Sequence, residues 1–300
     1  MTAPILVTGA TGKAGGAIVK RLLAAGAQVR AAAHHPDRGA ADRHDPVDWI
    51  EIDFNRRDTL APAFRGVEKV VLITPEDVAM VCQTAELLDA ARAAGVSHVV
   101  RLSFVNAGDD GVGGPLLAWH REAEKAVEES GMPYTILRPN SYMQNFVTTY
   151  APSIHLKDAF FTPMGKGRIS YVDALDVADA AVEVLLGGGH EGKTYSLTGP
   201  DSLLHDEIAE ILTREVGRPI RYVDVGEDEA CTALNRRGVP PEVTAVLCEL
   251  WLDMRRGKFA PVADGVEVVT GRKPTTFERF ARDHKAEFSL SPLIKTGSAR

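Results

Sequence analysis

The sequence predicts an α/β fold in which a doubly wound parallel sheet is followed by a smaller α/β C-terminal lobe. Three observations carry this prediction. Up to about residue 138, short β-branched runs alternate with longer stretches of helical periodicity, the order in which βα units build a parallel sheet. A glycine-rich turn, Val7-Thr8-Gly9-Ala10-Thr11-Gly12-Lys13-Ala14-Gly15, stands between the first run and the first helix. The 300 residues are 45% hydrophobic and 25% charged, which suits a globular chain long enough to bury a core without disulfides or metals.

The strands expected in order are Ile5–Thr8, Gln28–Ala33, Trp49–Ile52, Lys69–Ile73, His98–Leu102 and Tyr134–Leu137. Between them, residues 12–25 place Ile18, Leu22 and Leu23 on one helical face, and 78–94 do the same with Val81, Leu87, Leu88 and Ala91. Gly26 and Gly95 follow these helices as left-handed caps. After Pro139 regularity breaks, and the stretch through Gly167, with Pro152, Pro163 and Gly165, reads as a long irregular segment of the kind that binds ligands. Strands at Ile169–Val172 and Thr194–Leu197 flank a helix at 178–186; a helix at 206–216, a strand at 221–225, helices around 241–255 and a last helix near Thr275 complete the chain. The expected division is a dinucleotide-binding domain over 1–150, which also receives segments from about 168–198, and a substrate-binding lobe over 151–300 interleaved with it.

Charge and cysteine content exclude several classes of partner. Lys and Arg total 34 against 41 Asp and Glu, a formal charge of -7 that disfavours nucleic acid. No window approaches the roughly 18 uncharged apolar residues of a spanning helix, so no membrane role is expected. The N-terminus carries no secretory pattern and is expected to be the mature start. Cys82, Cys231 and Cys248 are odd in number and far apart, and read as free, mostly core thiols of a cytoplasmic protein, either monomer or homodimer. His120 and Glu124 stand four apart as some metal ligands do, but no third ligand accompanies them, so no metal is expected.

Glycines at 9, 12 and 15 fit a turn that brings backbone amides to a pyrophosphate, with Thr11, Lys13 and Ala14 opening the helix whose positive end faces it. The spacing is GxxGxxG, one residue longer in the turn than GxGxxG. About 20 residues on, where an acidic residue would take the ribose of NAD, the second strand ends His34-His35-Pro36-Asp37-Arg38. Arg38 and His34 suit a 2′-phosphate, and thus NADP(H). Asp53 and Phe54 meet the adenine side, while Thr74 and Pro139, closing the fourth and sixth strands, face the same crevice.

These residues, together with Glu124-Lys125-Ala126-Val127-Glu128-Glu129-Ser130-Gly131-Met132-Pro133-Tyr134-Thr135-Ile136-Leu137-Arg138-Pro139, Met143-Gln144-Asn145-Phe146 and Tyr171-Val172-Asp173-Ala174-Leu175-Asp176-Val177-Ala178, resemble the NmrA-like family of atypical short-chain dehydrogenases/reductases. The resemblance implies an NADP-binding Rossmann domain with a small-molecule substrate between it and the C-terminal lobe. Members of that family include reductases of quinones, dyes and enones, and redox-sensing regulators that bind the cofactor without turnover. The wider superfamily uses a Tyr-x-x-x-Lys pair; in that register this chain has Leu116 and His120. With the usual acid missing, a ketone is a poor acceptor, whereas a quinone or conjugated cation takes hydride into a delocalised system. His120 is therefore the candidate at the nicotinamide ribose and as proton donor, with Ser103 and Tyr142 as further catalytic candidates. Asn140, Tyr142, Met143 and Phe146, directly after the sixth strand, and Trp251 from the second lobe are the expected substrate contacts. The reading is an NADPH-dependent oxidoreductase acting on a conjugated or quinonoid electrophile; the alternative is a non-catalytic NADP(H) sensor.

Overall fold

The computed structural model describes residues 3–39, 47–108, 112, 114–236 and 238–289, except the side chains of Arg38 and Gly39. In order these form β1 (Ile5–Val7), α1 (Lys13–Ala24), β2 (Val29–Ala33), α2 (Pro36–Gly39), β3 (Asp48–Glu51), α3 (Leu60–Phe64), β4 (Lys69–Leu72), α4 (Met80–Ala93), β5 (His98–Leu102), α5 (Gly114–Glu128) and β6 (Tyr134–Pro139). They continue as α6 (Ala151–Lys157), β7 (Ala159–Thr162), α7 (Ala174–Leu186), β8 (Lys193–Leu197), α8 (His205–Val216), β9 (Arg221–Asp224), α9 (Glu227–Arg236), α10 (Pro241–Arg255), α11 (Gly265–Thr270), α12 (Phe277–Asp283) and α13 (Lys285–Phe288).

Seven strands form one sheet in the order β3-β2-β1-β4-β5-β6-β8, each pair parallel. A parallel sheet is covered on both faces, and the strand pattern meets that need residue by residue. Ile5, Val7 and Val71 point into a layer with Ile18 and Leu22 of α1 and Val177, Ala181 and Val184 of α7. Leu6, Val70 and Leu72 point the other way, against Phe64, Leu87 and Leu88. The strand order reverses between β1 and β4, which opens a crevice at their carboxyl ends, the customary ligand position in such sheets.

A third core fills the C-terminal part. β7 and β9 form a two-stranded parallel sheet beside α8 and α12, around buried Phe146, Phe160, Leu212, Phe277 and Phe280. Phe146 meets Phe160, Tyr171 and Phe277 edge to face, with centroids 5.5, 5.3 and 5.0 Å away. His205 lies fully buried in this cluster, its Nε2 3.1 Å from the Tyr171 hydroxyl, and burial holds its pKa down to about 4. His98 and His120 are lowered by burial as well. Below the ordinary imidazole value of about 6.5, the unfolded chain therefore takes up protons that the folded chain refuses. Stability is expected to be full above that pH and to fall as pH drops towards about 4, with His205 contributing on the order of 3 kcal/mol. Thermal denaturation from pH 8 to pH 4.5 checks this: the midpoint should fall on the acid side, and His205→Phe should flatten the slope.

Three expectations are corrected. The segment after Pro139 is largely ordered, with a π-helical turn at Phe146–Tyr150, then α6 and β7. Pro152 sits in the first turn of α6, where its missing N–H has no helical partner to lose. Residues 169–172, expected as a strand, make only isolated bridges, because their backbone bonds go to different neighbours: Ile169 to Leu203, Ser170 to Phe259 and Val172 to Ser141. Cys231 and Cys248 are joined by a disulfide linking α9 to α10, with Cα atoms 6.1 Å apart, and Cys82 is exposed. The three cysteines are therefore not core thiols, and they do not point to a reducing compartment. No helix among the described residues is long and apolar enough to cross a membrane.

Candidate active site

The loop after β1 is shaped by three local constraints. The Thr8 hydroxyl donates to the Ile73 carbonyl (2.8 Å) and accepts from its N–H (2.7 Å), pinning the ends of β1 and β4 together. Gly9 takes φ +60°, a left-handed turn that favours glycine, and the Gly12 N–H donates to its carbonyl at 2.9 Å. A Cβ on Gly15 would lie 2.2 Å from that same carbonyl oxygen, whereas one on Gly12 would lie 3.2 Å away. The third glycine is therefore the strictest of the set. No side chain caps α1, so the positive end of its dipole faces the crevice.

Two cavities meet over this loop, sharing Gly9, Gly12, Ile73 and Thr74. The first, about 450 Å³, also touches Thr11 of the phosphate loop, His34, expected at the 2′-phosphate, and Asp53 and Phe54, expected at the adenine. His34 Nε2 stands 3.4 Å from Asp53 Oδ2, so the strand tip presents an exposed histidine backed by a carboxylate. The Arg38 side chain, expected at the 2′-phosphate, lies outside the described residues.

The second cavity, about 570 Å³, continues from Lys13, Ala14 and Gly15 to Ser103, His120 and Tyr142. Ser103 Oγ and His120 Nδ1 are 3.4 Å apart, and both residues are buried. His120 Nε2 has no hydrogen-bond partner and lies 3.8 Å from Glu76 Oε1. Burial is the main influence holding His120 below the usual imidazole range; Arg101 acts in the same direction and Glu76 against it. Arg101 is fully buried on β5, donates to the Leu72 carbonyl (3.3 Å), and is lowered by burial to about 10. Burial raises the Tyr142 phenol well above its ordinary value, making it a poor acid and a better wall than proton donor. Lys13 Nζ donates to Asn145 Oδ1 (2.8 Å), tying the glycine loop to the segment after β6.

Other sequence candidates divide clearly. Trp251 lines the cavity from α10, where Leu247, Leu250 and Met254 join it. Asn140 does not line it: its amide donates to Ser170 Oγ and the Phe259 carbonyl and accepts from the Ser141 N–H. Met143 and Phe146 are buried behind the wall, and Pro139 ends β6 in register with Leu197. In their place the structure brings Phe104, Tyr150, Tyr171 and Glu76 to the cavity. Glu76 was detectable in principle, since it follows β4 at the carboxyl edge of the sheet. A larger hollow of about 880 Å³ lies at the opposite edge of β2; there Arg30 and Asp48 pair with each other at 2.6 Å. Among the described residues, no group of His, Cys, Asp or Glu is arranged to hold a metal.

A glycine turn beneath an uncapped helix, at the switch point of a parallel sheet, defines a Rossmann-type dinucleotide-binding protein. The model of the NmrA-like family matches residues 1–280, and the chain belongs to that family. It is 35% identical over 289 residues to an NAD(P)H azoreductase of Xenophilus azovorans, covering 96% of this chain and all of that one. Among solved structures it is similar to the triphenylmethane reductase of Citrobacter sp. complexed with NADP(H), at 28% identity and TM-score 0.81 over 94% of this chain and 99% of that one. The NADPH-dependent quinone oxidoreductase of Escherichia coli complexed with NADPH matches at 28% identity and TM-score 0.80, over 93% and 99%.

Proposed function

We propose that this protein is an NADPH-dependent oxidoreductase that delivers hydride to a small conjugated electrophile such as a quinone or a delocalised cation. The observation that carries the proposal is the continuity of the loop cleft with an aromatic cavity holding the buried Ser103 and His120. The loop suits the cofactor: Gly15, whose Cβ would strike the Gly9 carbonyl oxygen, lets α1 pack close against the turn, and the uncapped α1 faces the cleft. Gly9, Thr11, Gly12, Lys13, Ala14 and Gly15 would hold the pyrophosphate, with His34, Asp53 and Phe54 at the adenosine end. A sensor would need no such cavity.

NADPH, when bound, supplies the hydride. The chain contributes position, exclusion of water and a proton. Where the acceptor needs a proton on oxygen or nitrogen, the Ser103 hydroxyl donates it and His120 Nδ1–H replaces it, while a proton returns to the buried Nε2 from the side of half-exposed Glu76, 3.8 Å away. A delocalised carbon cation needs no proton, because hydride alone neutralises it. Residues of roughly 1–150 hold the cofactor in this reading, and residues from 151–300 close the cavity. We place the enzyme in the cytoplasm as a monomer or homodimer, acting on a small molecule and not on nucleic acid.

The test is loss of reduced-nicotinamide absorbance when protein and NADPH are mixed with quinones, azo compounds and triarylmethane dyes. Oxidation above the protein-free blank is expected. Silence across the panel with NADPH bound would favour the sensor.

A further inference from the structure

The acceptor cavity is lined by one charge of each sign. Its charged lining consists of Lys13, at the glycine loop, and Glu76, beside His120, and the two attract each other. Lys13 lies at the loop that faces a diphosphate in the loaded protein, which leaves Glu76 as the charge an acceptor meets. The Glu76 side chain is 52% exposed, and among the described residues it pairs with no lysine or arginine; its neighbour is the unpartnered Nε2 of a 95%-or-more enclosed ring, His120.

A second hollow of about 340 Å³ adjoins the first and shares Glu76 with it. It adds Asp77 from the same loop, Glu242 from the start of α10, and Trp119 from α5. Every charged residue lining it is acidic. Aromatic faces continue inward with Phe104, Tyr150 and Trp251. Carboxylates draw a cation along such a path and aromatic rings hold it, each ring–cation contact being worth about 0.5–2 kcal/mol.

We propose that Glu76, at the junction of the two hollows, selects delocalised organic cations over neutral and anionic acceptors. The balance of the step is simple: hydride leaves the reduced nicotinamide with its electron pair, forms a C–H bond at the electrophilic carbon, and the cation becomes a neutral product. Because the acceptor loses its charge as the bond forms, Glu76 holds the ground state more than the transition state. Its contribution therefore falls mainly on KM and on binding. Product release follows the same logic, since the neutral product no longer feels the carboxylate.

This inference rests on the reductase reading, and the experiment separates the two. The probes are a cationic triarylmethane dye, a sulfonated net-anionic dye of the same chromophore, and a neutral quinone. Dissociation constants are measured with 1,4,5,6-tetrahydro-NADP, whose neutral ring matches that of NADPH but transfers no hydride, and kcat and KM with NADPH. Wild-type protein should bind the cationic dye at least about tenfold more tightly than the sulfonated one, a gap that narrows with salt. Glu76→Gln should weaken the cationic dye by about tenfold and raise its KM and its kcat together, so that its kcat/KM falls by less than its binding, while the constants of the quinone stay unchanged. Equal binding of the two dyes by wild type, or a Glu76→Gln change that shifts all three probes alike, would overturn the proposal. A persistent binding gap without NADPH oxidation would instead overturn the reductase reading and leave the charge selection standing.

Discussion

Gly15→Val is expected to raise the dissociation constant for NADPH at least 100-fold, about 2.7 kcal/mol. The Cβ introduced at this position would sit 2.2 Å from the Gly9 carbonyl oxygen, a backbone atom with no rotamer to escape into. Accommodation requires the first turn of α1 to lift off the loop, and in the proposed binding mode that turn would supply the amides and dipole to the diphosphate. Gly12→Ala should be far milder, because its Cβ stands 3.2 Å from the same oxygen and a shift of a few tenths of an ångström relieves it. Titration of NADPH fluorescence for both variants, with circular dichroism to show that each is folded, measures the difference. Tight NADPH binding by folded Gly15→Val protein would contradict the assignment of this loop to the cofactor.

His120→Ala is expected to lower single-turnover reduction of a quinone at least about tenfold, within the range typical for a positioned proton donor. The loss arises because Ser103 Oγ, 3.4 Å from His120 Nδ1, is left without the group that replaces its proton. A delocalised cation, which accepts hydride without a proton, should be affected less by the same substitution. That contrast separates proton supply from a general disturbance of a buried residue, which would lower both rates together. Equal rates for wild type and His120→Ala with the quinone would remove His120 from the chemistry.

The parts of the site that could be read from sequence are those built by local geometry. The glycine loop announces itself because the strand before it, the turn and the helix after it are contiguous, and the structure places Gly9, Gly12 and Gly15 as that continuity requires. The uninterrupted apolar run Ile5-Leu6-Val7 likewise suits a strand covered on both faces, and the structure sends Ile5 and Val7 to one layer and Leu6 to the other. Other features depend on contacts between distant parts of the chain. Residues 169–172 have the β-branched, apolar character of a strand but are wedged among Leu203, Ser141 and Phe259, so no single partner strand forms. Asn140 follows β6 as a ligand-binding residue would, yet Ser170 and Phe259 capture its amide, and only the folded chain brings those groups together. Cys231 and Cys248, 17 residues apart, become partners because α9 and α10 lie side by side. The pairing of Ser103 with His120 joins a strand end to the middle of the next helix, a proximity that the fold class allowed and the side-chain geometry completes.

In the proposed reaction hydride passes from NADPH to a carbon or heteroatom electrophile in the cavity beside His120. Its most direct test is a single-turnover reaction of the protein with NADPH deuterated at the transferable nicotinamide position and a cationic triarylmethane dye, with the product analysed by mass spectrometry. Protein-dependent bleaching of the dye is expected, with one deuterium retained on the central carbon of the colourless product. Bound cofactor that stays reduced in the presence of every acceptor, or a product formed without the label, would contradict it.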